Sequence, residues 1–223
     1  MRHPRLLHLA AAAILTSTFP HAGTAKPPAN WDGLQQVPSK NADYLYLRPG
    51  ADFGQYREVM FDPTEIAFQK DWQKEMNRSS RGFGRVTDAD IRNAIDEANP
   101  KLKGIFEKRF RAAGFTIASA PGPNVMRIFV GVVNVNVFAP DRNTPSSSRT
   151  YAEYAGNATV VLEARDSQSG ELLGRAVDHG VAGQSLVMIR NSATNWADFE
   201  TLFDDWARVS ARGLRTLISA PAR

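Results

Sequence analysis

The chain has 223 residues, of which 43% are hydrophobic and 22% are charged, and its formal net charge is +4. This composition excludes an intrinsically disordered chain, because such chains are poorer in apolar residues and carry a more one-sided charge. The length suits one domain of about 200 residues. The absence of cysteine excludes disulfides, iron–sulfur clusters and cysteine nucleophiles.

The N-terminus has the pattern of a secretory signal peptide. Arg2 and Arg5 give a positive start, residues 6–19 form an apolar run, and Gly23 and Ala25 supply small residues for cleavage. The alternative is an uncleaved membrane anchor, but the run is shorter than the roughly 20 residues that a spanning helix needs. We expect cleavage near Ala25, a periplasmic or secreted product, and no transmembrane segment after removal of the leader.

Removal of residues 1–25 changes two counts. The leader holds two arginines and no acid, so the net charge falls from +4 to +2, and the remaining basic residues interleave with acids. We therefore expect a mixed surface and no nucleic-acid binding. Three of the four histidines also lie in the leader, which leaves His179 alone. Because zinc needs several His, Cys or carboxylate ligands, we predict no metal site, and we predict no cofactor.

The rest of the chain is predicted to form an extended arm at 26–50 and a single domain at 51–223. The arm contains aromatic residues between Pro and Gly turns, so we expect it to lie across the body of the domain. A strand is predicted at 56–61, and its continuation beyond a bend at Asp62-Pro63 would reach Trp72. A loop is predicted at 77–84 by its composition.

Two amphipathic helices are predicted, each with an apolar stripe at spacings of three and four residues. The first begins at Thr87, which forms a capping box with Asp90, continues through a kink at Pro100 and ends at Gly114. The second begins with Asn195 as its N-cap.

A run of strands is predicted between the helices. The segment 125–138 alternates and changes phase near Gly131, which indicates a bulge there. Segments 158–165 and 172–177 are typical of a hairpin. The order strand, helix, strands, helix predicts an α/β fold of the α+β type, with a mixed sheet of about five strands and two helices packed on one face.

No catalytic residue is predicted, because neither a nucleotide-binding motif nor a nucleophile elbow is present. His179 follows a predicted strand, and a solvated histidine is a simpler interpretation than a catalytic one. Paired carboxylates remain an alternative, since a glycosidase needs only two acids about 5 to 9.5 Å apart. The acids in or beside predicted strands are Asp62, Glu65, Glu153, Glu163 and Asp166.

The candidate binding residues are Arg149, Tyr151 and Tyr154, which lie close together in one segment. Arg and Tyr are residue types that carry binding energy at protein interfaces. The alternative is that the tyrosines cap the sheet and Arg149 pairs with an acid.

A series of short motifs runs along nearly the whole mature chain. They are Gly33-Leu34, residues 37–40 and 47–51, Val59-Met60, Asp62-Pro63, Glu65, Phe68, Trp72, residues 148–151, Gly156, Asp166-Ser167, residues 169–171 and Trp206. In this order they resemble the bacterial lipoprotein-like envelope proteins known as domain of unknown function 3313. The resemblance implies an envelope location and no known activity. Many relatives look like acylated lipoproteins, whereas this chain has no Cys, which implies no lipid anchor.

These observations predict an exported, non-catalytic protein that binds an envelope protein partner. The alternative function is a hydrolase that cleaves cell-wall glycan with paired carboxylates.

Overall fold

The computed structural model describes residues 28–79, 84–138, 150–183 and 188–220, and within them it has eleven strands and three helices. The strands are β1 (Asn30–Trp31), β2 (Leu34–Val37), β3 (Tyr44–Leu47), β4 (Glu58–Phe61), β5 (Glu65–Phe68), β6 (Thr116–Ile117), β7 (Val125–Val137), β8 (Thr150–Ala152), β9 (Gly156–Asp166), β10 (Leu172–Ala182) and β11 (Met188–Arg190). The helices are α1 (Trp72–Ser79), α2 (Asp88–Ala112) and α3 (Ser192–Ser219).

Within the described ranges, nine strands form one mixed sheet in the order β1-β2-β3-β10-β9-β7-β4-β6, with β5 also pairing β7. The long strands β7, β9 and β10 are antiparallel and form its centre, whereas β4 and β5 add to β7 in parallel. The strands β8 and β11 pair with each other and form a separate ribbon. The mixed α/β class predicted from the sequence is confirmed.

The predicted numbers of about five strands and two helices were too low. The segment 26–50 contributes β1, β2 and β3 to the sheet edge. Strands of two to four residues are too short to show an alternating period in the sequence. Trp72 begins α1 and does not extend a strand. This helix has eight residues, most of them polar, and is therefore too short to show several turns of a helical repeat in the sequence. The segment 139–149 lies outside the described residues.

The start and end of α2 agree with the prediction. The Thr87 hydroxyl accepts a hydrogen bond from the Asp90 amide at 3.2 Å, and the Asp90 carboxylate accepts one from the Thr87 amide at 2.8 Å. The helix continues through Pro100 and ends just before Gly114, which has a φ of +87°. A glycine favours this left-handed conformation because it has no Cβ.

The start of α3 was predicted one turn too late. Its N-cap is Asn191, whose side chain accepts a hydrogen bond from the Thr194 amide at 3.0 Å. In return, the Thr194 hydroxyl accepts a hydrogen bond from the Asn191 amide at 3.0 Å. Asn195 lies in the first turn of the helix and is buried. Two Asn residues four positions apart have the same capping propensity, and in the structure it is Asn191 that forms the capping box with Thr194.

Both long helices pack on the same face of the sheet. Their buried residues share one core with the inward residues of the central strands. From the helices this core contains Leu102, Phe106, Phe110, Phe199, Phe203 and Trp206. An ion pair between Arg109 and Asp204 joins α2 to α3 and lowers the pKa of Asp204.

A bulge interrupts β7, but it lies three residues beyond the predicted position. The register against β9 shifts between Val133 and Asn136, and Asn134 has a φ of +53°. Asn tolerates this left-handed conformation better than most residues. At Gly131, where the bulge was predicted, the ring of Phe129 takes the side-chain space, since an added Cβ would lie 3.1 Å from it.

Trp31, Asp32, Glu163 and Arg175 lie together on the opposite face of the sheet, and we call this group the arginine clasp. The hairpin between β1 and β2 turns at Asp32 and Gly33, whose φ angles of +54° and +78° suit a type I′ turn. This turn places Trp31 over β10, with its ring centroid 4.1 Å from the Arg175 guanidinium. Arg175 is 4% exposed and bonds to Glu163 at 2.6 Å and to Asp32 at 2.8 Å. The clasp therefore holds the edge hairpin to the sheet by charge and aromatic contact.

We expect Arg175→Ala to lower the free energy of unfolding by about 2 kcal/mol, because it removes the charged hydrogen bonds of Arg175 to the largely buried Glu163, which keeps its other ion pair with Arg165 at 2.7 Å. Arg208→Ala is the matched control, since it removes a more exposed ion pair with Asp205. That variant should cost less than about 1 kcal/mol. Urea unfolding of the two variants and the wild type measures both values. Equal losses would contradict the structural role assigned to the clasp.

Candidate functional site

The predicted binding segment runs through the β8–β11 ribbon. Arg149 lies outside the described residues, and for Tyr151 only the backbone position is described, opposite Ile189. Tyr154 follows the ribbon and is half-buried. A Cβ added at Gly183 would lie 3.2 Å from the Tyr154 Cα, so Tyr154 packs directly beside the end of β10. That these three residues bind a partner stays a prediction.

Two large apolar side chains are exposed beside Tyr154. Phe138 immediately follows β7 and is 44% exposed, and Val181, near the end of β10, is 47% exposed. Both lie next to the start of β9, because Phe138 donates to the Ala155 carbonyl at 2.9 Å and Val181 pairs with Asn157. We call Phe138, Tyr154 and Val181 the sheet-end patch. The structure brings them together from three separate parts of the chain.

The side chains of Phe138 and Val181 point away from the helices. Val137 packs in the helix-side core, so alternation places Phe138 on the other face. Likewise an added Cβ at Gly180 would meet Leu202 of α3, which places Val181 opposite. This exposure could not be seen in the sequence, because both residues continue apolar strand patterns and only the fold shows which of them are covered.

The five acids that were considered as members of a catalytic pair lie in different parts of the structure. Asp62 is bound to Arg127 at 2.5 Å, and Glu163 belongs to the arginine clasp. Glu65 is exposed on β5, and Glu153 is exposed after β8. Asp62 and Glu163 are thus engaged in ion pairs at separate places, whereas a glycosidase needs two acids that face each other across one cleft.

Asp166 closes the turn between β9 and β10. Its carboxylate accepts hydrogen bonds from the Ser169 amide at 2.7 Å, the Ser169 hydroxyl at 2.8 Å and the Tyr56 hydroxyl at 2.9 Å. The Ser169 amide is the main cause of the lowered pKa of Asp166, and burial raises the pKa of Tyr56. A general acid at neutral pH needs a raised pKa, whereas the pKa of Asp166 is lowered. Asp166 therefore has the properties of a residue that stabilises the turn, and it lacks those of a general acid.

His179 is exposed on β10, as a solvated histidine would be. Its Nδ1 lies 3.5 Å from the Thr159 hydroxyl, and its backbone amide donates to Asp43 at 2.9 Å. In the described ranges, no group of three or more His, Cys, Asp or Glu residues is close enough to hold a metal ion.

Two cavities lie between the helices and the sheet, and the sequence analysis did not predict either. The first, of about 380 Å³, lies under the C-terminal half of α3 against β3, β9 and β10. The second, of about 390 Å³, lies between the N-terminal halves of α2 and α3 and the strands β5 and β7. Both volumes fall within the range of roughly 300–1,000 Å³ that small-molecule sites have.

The fold and these sites define a mixed α/β protein in which the five candidate acids and the single described histidine serve in structural contacts or lie on the surface. The family model described as "Protein of unknown function (DUF3313)" matches residues 22–210, so the chain belongs to this family, and the resemblance seen in its motifs is confirmed. No curated protein matches the chain. Within the described ranges, none of the helices combines the length and apolar character that a membrane span requires.

Solved structures of several bacterial proteins show weak similarity to this chain. The PelC dodecamer from Paraburkholderia phytofirmans is 11% identical, with 74% of this chain and 94% of that chain covered and a TM-score of 0.36. A PDZ domain protein from Parabacteroides distasonis is 11% identical, with 80% and 36% covered and a TM-score of 0.38. Protein XCC0632 from Xanthomonas campestris is 13% identical, with 73% and 85% covered and a TM-score of 0.35. Scores this low do not establish a common fold, and no function transfers from them.

Asp166 gives a prediction for the pH dependence of stability. Because its pKa is lowered in the folded protein, the ionised carboxylate stabilises the fold above the unfolded pKa of about 4, and this contribution is lost as the pH falls through the folded pKa. Asp166→Asn should therefore lower stability at neutral pH and flatten the loss of stability in acid. Urea unfolding from about pH 7 to about pH 2 measures this effect. Glu200→Gln, at an exposed position of α3, is the control, and an identical acid slope in both variants would contradict the assignment.

Proposed function

We propose that the chain is an exported protein of the bacterial envelope that acts by binding a protein partner, without catalysis. The observation that carries this proposal is the exposure of Phe138 and Val181 beside Tyr154 at one end of the sheet. Scattered exposed apolar residues are ordinary, but neighbouring ones together with an aromatic residue are typical of binding surfaces.

The β8–β11 ribbon adds backbone groups to this surface. In the described part of the chain the two strands pair only with each other, so each leaves one edge of N–H and C=O groups outside the ribbon. Such an edge is a template on which a partner can add a strand. Because the ribbon adjoins Tyr154, a bound segment would contact the backbone edge and the sheet-end patch together.

The alternative function, hydrolysis of cell-wall glycan, has less support. It requires two acids that face each other across a cleft, one of them protonated. Asp62 and Glu163 are instead held by arginines, and hydrogen bonds keep the pKa of Asp166 low. Each of these acids is explained by a contact that stabilises the fold.

Export is part of the proposal and has its own test. The leader pattern at 1–25 supports it, and cleavage near Ala25 would leave Lys26 as the first residue. Mass spectrometry of the protein from fractionated cells should find this start in the periplasmic or secreted fraction. Protein that keeps Met1 and remains in the cytosol would contradict export.

Partner binding is tested by placing a photo-crosslinking amino acid at Phe138 or Val181 in living cells. We expect the same protein, identified by mass spectrometry, to be captured from both positions. The matched control is Glu200, which is exposed on α3 on the other side of the sheet. Val181→Asp, combined with the crosslinker at Phe138, should weaken capture at least about tenfold, because a charge replaces an apolar contact. Equal capture from Glu200 would contradict the proposed surface.

A further inference from the structure

The first cavity, which we call the α3 cavity, has mainly apolar walls. One wall is the C-terminal half of α3, another is the sheet, and a third is the loop at residues 38–42 between β2 and β3. The apolar side chains along it include Leu45, Leu47, Phe53, Val160, Leu162 and Trp206. An apolar cavity of about 380 Å³ is unfavourable to water and suits an apolar ligand.

Gly213 leaves one side of this cavity open. It lies inside α3, where glycine destabilises a helix relative to alanine, and it lines the cavity together with Val209 and Leu217, one turn away on either side. A Cβ added at Gly213 would meet no atom within 4 Å. A side chain would therefore fit there, and its absence keeps the space beside the helix free.

The polar groups at the cavity distinguish an anionic ligand from a cationic one. The Asp178 carboxylate already accepts hydrogen bonds from the Trp206 indole at 2.8 Å and from the Asp43 amide at 3.0 Å. Lys40, in the loop wall, is exposed and forms no ion pair with any described residue. The Ser39 hydroxyl orders this loop by accepting from two following amides at 3.1 Å. Lys40 is therefore a charged side chain at this wall that has no hydrogen bond or ion pair with any described residue, and it is free to bind an anionic group.

The second cavity also has basic side chains at its wall. Its lysine, Lys101, is bound to Glu97 at 2.5 Å and lies 4.7 Å from the ring centroid of Trp196. Lys101 therefore offers less to an incoming anion, whereas Arg85, which also lines this cavity, is exposed and forms no ion pair with a described residue. The α3 cavity is the better candidate of the two, because Gly213 leaves open space along its helix wall.

We propose that the α3 cavity binds the aliphatic chain of an amphiphile whose anionic head group lies at Lys40. This site lies on the helix side of the sheet and shares no residue with the sheet-end patch. It therefore goes beyond the proposed function, and either proposal can fail without the other.

Titration calorimetry with dodecanoate tests the proposal, with wild type and two glycine variants. Gly213→Leu places a side chain in the cavity and should weaken binding at least about tenfold. Gly104→Leu is the matched control, because Gly104 also lies inside a helix and an added Cβ there also meets nothing within 4 Å, but it does not line the cavity. It should bind like wild type. Absence of binding to wild type both here and in the vesicle experiment below, or an equal loss in both variants, would overturn the proposal.

The head-group assignment is tested by Lys40→Gln, a substitution at an exposed residue that leaves the cavity volume unchanged. It should weaken dodecanoate binding about two- to fivefold, as expected for an exposed ion pair. Binding of dodecyl maltoside, which has the same chain and a neutral head, should not change. Equal effects on both ligands, or no effect on either, would remove the head group from Lys40.

An anionic chain can come from a free acid or from a membrane lipid, and a second arm separates the two sources. Flotation with phosphatidylglycerol vesicles tests the lipid, and calorimetry with dodecanoate below its micellar concentration tests the free acid. The ligand that binds the wild-type protein, whether vesicle or dodecanoate, should no longer bind the Gly213→Leu variant and should still bind the Gly104→Leu variant. Vesicle binding that survives Gly213→Leu would show surface adsorption and overturn occupation of the cavity.

Discussion

The packing of α3 across β9 and β10 is the constraint on which the rest of the structure depends. Its apolar stripe covers the helix-side face of these strands, and the Trp206 indole donates to Asp178 of β10 at 2.8 Å. The Arg109–Asp204 ion pair then fixes α2 beside α3. The contact between α3 and the sheet is close at Trp206, and a cavity separates the two near Gly213. The same helix therefore both completes the core and forms one wall of a cavity.

The two faces of the sheet have different physical roles. The helix side buries the continuous core, whereas among the described residues the other side is covered at the β1–β3 edge by the small cluster around Tyr46 and by the arginine clasp. At the far end of that face, Phe138 and Val181 remain exposed. This difference in cover separates the surface proposed for a protein partner from the cavity proposed for an amphiphile.

Sequence reasoning located part of the candidate site. It selected the segment containing Tyr154, but Phe138 and Val181 were not identified, because exposure depends on which neighbours the fold places over a strand. The carboxylates show the reverse case. Asp62, Glu163 and Asp166 looked available in the sequence, and long-range pairing with Arg127, Arg175 and Tyr56 gives each a structural role.

The sequence alone determined the long elements with clear periodicity, which are β7, β9 and α2 with its Thr87 cap, because these depend on local alternation and local hydrogen bonds. It also determined family membership through the order of its motifs. The N-cap at Asn191 rests on local hydrogen bonds with Thr194, but Asn195 offers the same residue type, and the structure was needed to choose between them. Tertiary structure decided the short strands β1–β3, the position of the bulge at Asn134 and which apolar residues meet a cavity, since these features depend on contacts between elements far apart in the chain.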